Sequence, residues 1–113
     1  DIVSIHLPVL DSTKGMINAD LFAKMKETAI FVNTARSAVV DEPALMEVLR
    51  NKKIRGAILD VLEVEPPTEE ALEIARLDNV LLTPHICGAT YGVTDHQSRI
   101  LADRIDAWMK ENK

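Results

Sequence analysis

Four short apolar runs recur along the chain, and between them lie turn residues and stretches with helical spacing. The runs are Ile2-Val3-Ser4-Ile5-His6-Leu7, Ala29-Ile30-Phe31-Val32-Asn33, Gly56-Ala57-Ile58-Leu59-Asp60-Val61 and Asn79-Val80-Leu81-Leu82-Thr83. Runs this short and this continuously apolar read as buried strands. Strands that alternate with helices favour parallel pairing, because parallel neighbours need a long crossover connection. The expected fold is α/β, a parallel sheet of about four strands with helices on both faces.

The connecting segments carry helix signals. Asn18 can cap a short helix through Leu21, Phe22 and Met25, since its side chain can accept from free backbone N–H groups. Asp41 reads as an N-cap with Pro43 in the first turn, and Leu45, Val48 and Leu49 follow at helical spacing. Lys52 and Lys53 suit the negative end of that helix. Thr68 can cap a helix over Glu69 to Arg76. Thr94 and Gln97 form a capping-box pattern. Val93, Gln97, Ile100, Leu101, Arg104, Ile105 and Trp108 mark one side of a long final helix, a stripe that suggests core or interface packing rather than a ligand site.

Composition narrows the function. The 113 residues suffice for one domain or part of one, and 47% apolar with 27% charged residues is a globular balance. The four glycines are Gly15, Gly56, Gly88 and Gly92, so neither a G-x-G-x-x-G turn nor a G-x-x-x-x-G-K-[ST] loop occurs. A net charge of −5 with no basic run beyond Lys52-Lys53 argues against nucleic acid. No apolar stretch approaches the roughly 20 residues that span a bilayer, and no secretory leader is visible at Asp1. The single Cys87 excludes an internal disulfide framework and fits the cytoplasm. His6, His85 and His96 are too scattered to suggest a metal site, and His6 and His96 are expected to be solvated rather than catalytic.

In parallel sheets, ligands bind beyond the carboxyl ends of the strands. That rule selects Pro8, then Asn33 to Arg36, Asp60 to Glu65, and Pro84 to Thr90. Arg36, Glu65 and His85 stand out there. A carboxylate beside a histidine fixes the ring's tautomer and favours its charged form. A histidine can give or take a proton near neutral pH. An arginine fork matches a carboxylate and can polarise an adjacent carbonyl. The three residue types suit proton-coupled chemistry on a 2-keto or 2-hydroxy acid. Glu63 competes with Glu65 as the histidine's partner.

The wording of the motifs is more specific. Ser4-Ile5-His6-Leu7-Pro8, Asn33-Thr34-Ala35-Arg36, Gly56-Ala57-Ile58-Leu59-Asp60-Val61 with Glu65-Pro66, and Thr83-Pro84-His85-Ile86 occur in this order. The chain resembles the NAD-dependent D-isomer-specific 2-hydroxyacid dehydrogenases over nearly its whole length. By that resemblance the sheet is a partial doubly wound, Rossmann-like one, and residues 1–113 are the C-terminal half of an NAD-binding domain. The reaction implied is hydride transfer between NAD(H), or NADP(H), and a small 2-keto or 2-hydroxy acid. Arg36 would bind the substrate carboxylate and keto oxygen, His85 would be the acid/base, and Glu65 would hold His85. Asp60 would bond the nicotinamide carboxamide, although it could also simply close the strand-to-loop turn. Backbone groups at Thr34, Ala35 and Gly88 would line the nicotinamide beside Arg36 and His85. Leu7 and Pro8 resemble the adenosine-flanking segment, with Thr13 in the adjoining loop.

The family usually has glycine after the arginine, where this chain has Ser37; a position needing φ > 0 would strain the serine. Cys87, two residues beyond His85, would be oxidation-sensitive if an imidazolium lowered its pKa, while a small apolar filler is the simpler reading. A non-catalytic Rossmann-like binding or regulatory domain is the alternative function, but it has no need of Arg36, Glu65 and His85 together. A response-regulator-like domain would want an acidic cluster after the first strand, and His6-Leu7-Pro8 offers none. The glycine-rich half and the substrate domain are expected to be missing, with little activity from these residues alone. The open edge of the first strand is then expected to be covered by that missing segment or by a second copy in a homo-oligomer.

Overall fold

The computed structural model describes residues 1–112. Strands β1 (Ile2–Ile5), β2 (Ile30–Asn33), β3 (Gly56–Leu59) and β4 (Val80–Leu82) form one parallel sheet in the order β1-β2-β3-β4. The connections are helix α1 (Ala19–Phe22), a 3₁₀ turn (Ser37–Val39) with helix α2 (Glu42–Arg50), and a 3₁₀ segment (Ala71–Arg76). Helix α3 (Tyr91–Glu111) follows β4. The fold is a Rossmann-like α/β sheet: the sequence pattern implied the parallel sheet and the family resemblance the Rossmann-like class, but the connecting helices, expected on both faces, pack on one.

Parallel register sets Val3 beside Phe31, Phe31 beside Ala57, and Ala57 beside Val80. Ile5, Asn33, Leu59 and Leu82 form the next row. Side chains in these two rows share a face, since direction alternates along a strand. That face carries the core, where Phe31, Ala57 and Leu59 meet Phe22 of α1, Leu45, Val48 and Leu49 of α2, and Ile74 of the second 3₁₀ segment. Phe22 and Phe31 pack edge to face, with ring centroids 5.2 Å apart. On the other face Ile30, Val32 and Ile58 are half-buried, and Ile2 and Leu81 are exposed. The first run is therefore an open edge strand rather than a buried one.

The two caps read from the sequence form. Asn18 Oδ1 accepts from Leu21 N–H at 3.2 Å, and Asp41 Oδ1 accepts from Ala44 N–H at 3.1 Å. Helix α2 ends without glycine: Lys53 N–H donates to Val48 O and Lys52 N–H to Leu49 O, the paired bonds of a Schellman end. Lys52 takes the left-handed conformation that this requires, at φ 50°.

Two expectations are corrected. Thr68 Oγ1 accepts from Ala71 N–H as anticipated, but the segment it opens is 3₁₀ rather than α-helical. The last helix starts at Tyr91 with Thr90 as N-cap, so Thr94 lies inside it and the Thr94–Gln97 capping box does not form. Extending the helix by another turn adds a backbone bond per residue, which outweighs a side-chain cap worth about 1 kcal/mol.

The stripe along α3 makes no core among the described residues, and no residue of α3 is buried. Trp108 is 64% exposed and Ile105 50%. The helix projects from the sheet, which gives a radius of gyration of 17.5 Å, against about 13 Å for a compact chain of about 100 residues. No helix among the described residues is long and apolar enough to cross a membrane.

Candidate active site

Parallel pairing carries the segments after β2, β3 and β4 to the same edge of the sheet. Two of the residues singled out in the sequence, Glu65 and His85, meet there, and Arg36 follows β2 at the same edge. Glu65, after β3, accepts at Oε1 from Leu62 N–H at 3.1 Å. Its Oε2 lies 2.7 Å from Nδ1 of His85, which follows β4. The bond to His85, helped by the Leu62 N–H and the Arg36 charge, holds the Glu65 carboxyl below the usual carboxylate range against partial desolvation. An ionised Glu65 leaves His85 Nδ1–H as the donor and Nε2 as the free nitrogen. Both side chains remain about two-fifths exposed, at 43% for His85 and 40% for Glu65. Of the two competing carboxylates, the histidine's partner is Glu65. Glu63 instead acts on Glu42, whose carboxyl is raised by burial first and by Glu63 second.

Asp60 lies beneath this pair and is 1% exposed. Its Oδ1 accepts from the Thr83 hydroxyl and from Ile86 N–H at 2.9 Å, and its Oδ2 accepts from Cys87 N–H at 2.8 Å. Burial alone would raise its pKa; the Thr83, Cys87 and Ile86 bonds outweigh burial and lower it to about 2. His85 sits between these anchors with φ 55°. Its own N–H donates to Thr83 O at 3.0 Å.

Arg36 is exposed, and its Nη1 donates to Ala35 O at 2.7 Å. Buried Asn33 shapes the turn that presents it, with Oδ1 accepting from Ala35 N–H at 3.0 Å and Nδ2 donating to Arg36 O at 3.0 Å. Thr34 and Ala35 are half-buried in the same turn. Ser37 opens the following 3₁₀ turn, and among the described residues positive φ outside glycine occurs only at Lys52 and His85. The strain anticipated at Ser37 is absent because the chain turns right-handed there.

Leu7, Pro8 and Thr13 occupy a loop of their own after β1. Thr13 is buried there, with its hydroxyl donating to Pro8 O at 2.7 Å and accepting from Leu10 N–H at 2.8 Å. Gly88 lies in the turn before α3, where an added Cβ would meet nothing within 4 Å. Cys87 is exposed, and its thiol is pushed up by desolvation and by Asp60, so it is protonated rather than activated. His6 bonds only its neighbour Ser4 among the described side chains, at 2.8 Å.

A cavity of about 330 Å³ opens beside the pair, lined by Asp60, Leu62, Glu65, Pro66, Leu82 and His85 among others. It combines an apolar wall with a carboxylate and an imidazole, the composition of a small-molecule site. Among the described residues no group of three His, Cys, Asp or Glu side chains is placed to hold a metal ion. Sequence reasoning gave no role to the side chains of Asn33 and Thr83. An Asn at a strand end, two residues before the N–H it accepts from, was a legible turn signal; the Thr83–Asp60 bond spans 23 residues and had none.

Comparison with known proteins shows what the chain is similar to. The family described as D-isomer specific 2-hydroxyacid dehydrogenase, NAD binding domain, matches residues 1–87. The chain is 43% identical over 112 residues to a hydroxypyruvate reductase of Thermotoga maritima, covering 98% of this chain and 36% of the relative. A D-isomer specific 2-hydroxyacid dehydrogenase of Xanthobacter autotrophicus Py2, solved with NADPH and MES, superposes with a TM-score of 0.70 at 45% identity, over 75% of this chain and 27% of that one. D-lactate dehydrogenase of Lactobacillus jensenii with NAD+ superposes with a TM-score of 0.74 at 38% identity, over 80% and 31%. The chain spans about a third of the length of the curated relatives it matches.

Proposed function

Because this chain belongs to the D-isomer specific 2-hydroxyacid dehydrogenase family, within its NAD-binding domain, we propose that it supplies the proton-transferring half of an enzyme that interconverts 2-keto and D-2-hydroxy acids. The observation that carries the reading is the 2.7 Å contact between Glu65 and His85 at the strand ends, with Arg36 on the turn after β2 at the same sheet edge.

In the reductive direction His85 Nε2 gives its proton to the keto oxygen while the keto carbon receives hydride. When bound, the dihydronicotinamide supplies that hydride. The Glu65 carboxylate keeps His85 Nδ1 as a donor, so the transferable proton sits on Nε2. Arg36 takes the substrate carboxylate in its fork and polarises the carbonyl, which stabilises the negative charge growing on oxygen. Afterwards the half-exposed imidazole regains a proton from water.

The residues fit a dinucleotide's nicotinamide end. Polar groups converge beside an apolar wall, and Gly88 leaves open space. In this reading the Thr34 and Ala35 backbone, Arg36, Asp60, His85 and Gly88 border the nicotinamide, and Leu7, Pro8 and Thr13 flank the adenosine. The cofactor is NAD(H), with NADP(H) also compatible. These residues act as the C-terminal half of the domain, and the pyrophosphate turn comes from a companion segment, since no G-x-G-x-x-G is present here. That segment, or a second copy, pairs with the open edge of β1. The reading places the protein in the cytoplasm, which suits a lone thiol.

The test is steady-state reduction of short 2-keto acids by the enzyme that carries these residues, followed by loss of dihydronicotinamide absorbance. Turnover that drops on the order of 10²–10⁴-fold in His85→Asn supports the assignment. Undiminished turnover in that variant removes His85 from the mechanism.

A further inference from the structure

We propose that Asp60 is a positioning residue for His85, strapping the turn that presents the imidazole. The proposal rests on the reading of His85 as the proton donor. His85 holds a left-handed backbone at φ 55°. A side chain with a Cβ occupies that region only where its surroundings impose it. Three of the contacts that flank it run to one carboxylate: the Thr83 hydroxyl before His85, and the Ile86 and Cys87 N–H groups after it. Two successive N–H groups converging on an anion make a nest, here filled by the protein's own side chain.

Asp60 is buried yet ionised, and among the described residues no Lys or Arg pairs with it. Its charge is balanced by the donors of the His85 turn alone. Those donors occupy most of the acceptor sites that a carboxylate offers. Besides bordering the nicotinamide, Asp60 therefore acts on the reaction through His85. Asparagine cannot replace it, because its single acceptor oxygen leaves an N–H or hydroxyl donor facing an NH₂ group.

The experiment compares wild type, Asp60→Asn and Thr83→Val in the enzyme that carries these residues. Three quantities are read: kcat at saturating NADH, the NADH dissociation constant by fluorescence titration, and amide hydrogen exchange at Ile86 and Cys87. In Asp60→Asn, kcat falls on the order of 10²-fold, as misplacement of a catalytic group by about 1 Å does. NADH affinity falls by less than kcat does, and both amides exchange faster. Thr83→Val, which removes one of the three bonds, shifts kcat and exchange the same way by less, and it carries the test if Asp60→Asn fails to fold. Weakened NADH binding with kcat retained overturns the proposal, as do unchanged Ile86 and Cys87 amides. A wild-type enzyme that reduces no 2-keto acid defeats the dehydrogenase reading instead, while the exchange measurement still judges the strap.

Discussion

Glu65 Oε2 and His85 Nδ1 meet at 2.7 Å although 20 residues separate them. The meeting follows from the pairing of β3 with β4, which lays the two following loops side by side. Both Glu65 oxygens are engaged, one by Leu62 N–H and one by the imidazole, so the carboxylate has little freedom to leave the ring. Glu65→Gln keeps the size of the side chain and removes the charge. A glutamine amide can present an N–H to Nδ1 and so select the wrong tautomer. Turnover should fall toward the limit set by the about 10²–10⁴-fold that general acid catalysis supplies, with a smaller change in KM for the keto acid. Steady-state kinetics on the variant checks this; equal loss in KM and none in kcat would assign Glu65 to substrate binding.

Asp60 should govern acid stability. Its carboxyl has a folded-state pKa of about 2 against an ordinary 3.8. A depressed pKa contributes stability that is complete above the ordinary value and lost as pH falls from about 3.8 toward 2. Asp60→Asn should therefore unfold earlier than wild type at neutral pH, and the gap should close across that acid window. Leaving a buried N–H unsatisfied costs about 1–3 kcal/mol, which sets the scale of the neutral-pH difference. Thermal unfolding of both proteins over a pH series reads it, and a gap independent of pH would show that the ionised form is not what the turn binds.

The sequence exposes what is local and hides what is long-range. Asn18 and Asp41 announce their helices because a cap acts within three residues of itself. The four apolar runs announce the sheet because period and length are properties of each run. Glu65 and His85 emerge from the rule that chemistry gathers at strand ends, although only the fold separates Glu65 from Glu63. The Asp60–Thr83 contact and the left-handed His85 belong to the packing of two loops, and no spacing within either loop encodes them. Thr94 misleads for the complementary reason: its capping box is a local pattern that a longer helix overrides.

Gly56→Ala should destabilise the sheet. An added Cβ at Gly56 would lie 2.3 Å from the carbonyl oxygen of Asn79, a backbone atom that itself accepts from Ala57 N–H. Moving that oxygen means moving the start of β4 and weakening its ladder with β3. Overpacking of this kind costs about 1–3 kcal/mol. Denaturant unfolding should show a lower midpoint at unchanged slope. Because β4 leads directly to His85, activity at permissive temperature should fall as well.

Ser37→Gly tests the backbone after Arg36. A position in the left-handed region would be relieved by glycine, and the variant would be more stable than wild type. Ser37 instead opens a right-handed 3₁₀ turn, whose closing bond runs from Val40 N–H to Ser37 O at 2.8 Å. Glycine there gains nothing in the folded state and adds freedom to the unfolded one, a cost of about 0.4–1 kcal/mol. The variant should therefore lose stability by that amount in denaturant titration, and a gain would mean that the Arg36 turn is left-handed after all. The Arg36 presentation depends on the same turn, which Asn33 anchors on one side and the 3₁₀ bond on the other. Loosening the second anchor should raise KM for the keto acid more than it lowers kcat, if the arginine fork meets the substrate carboxylate in both the ground and transition states as proposed.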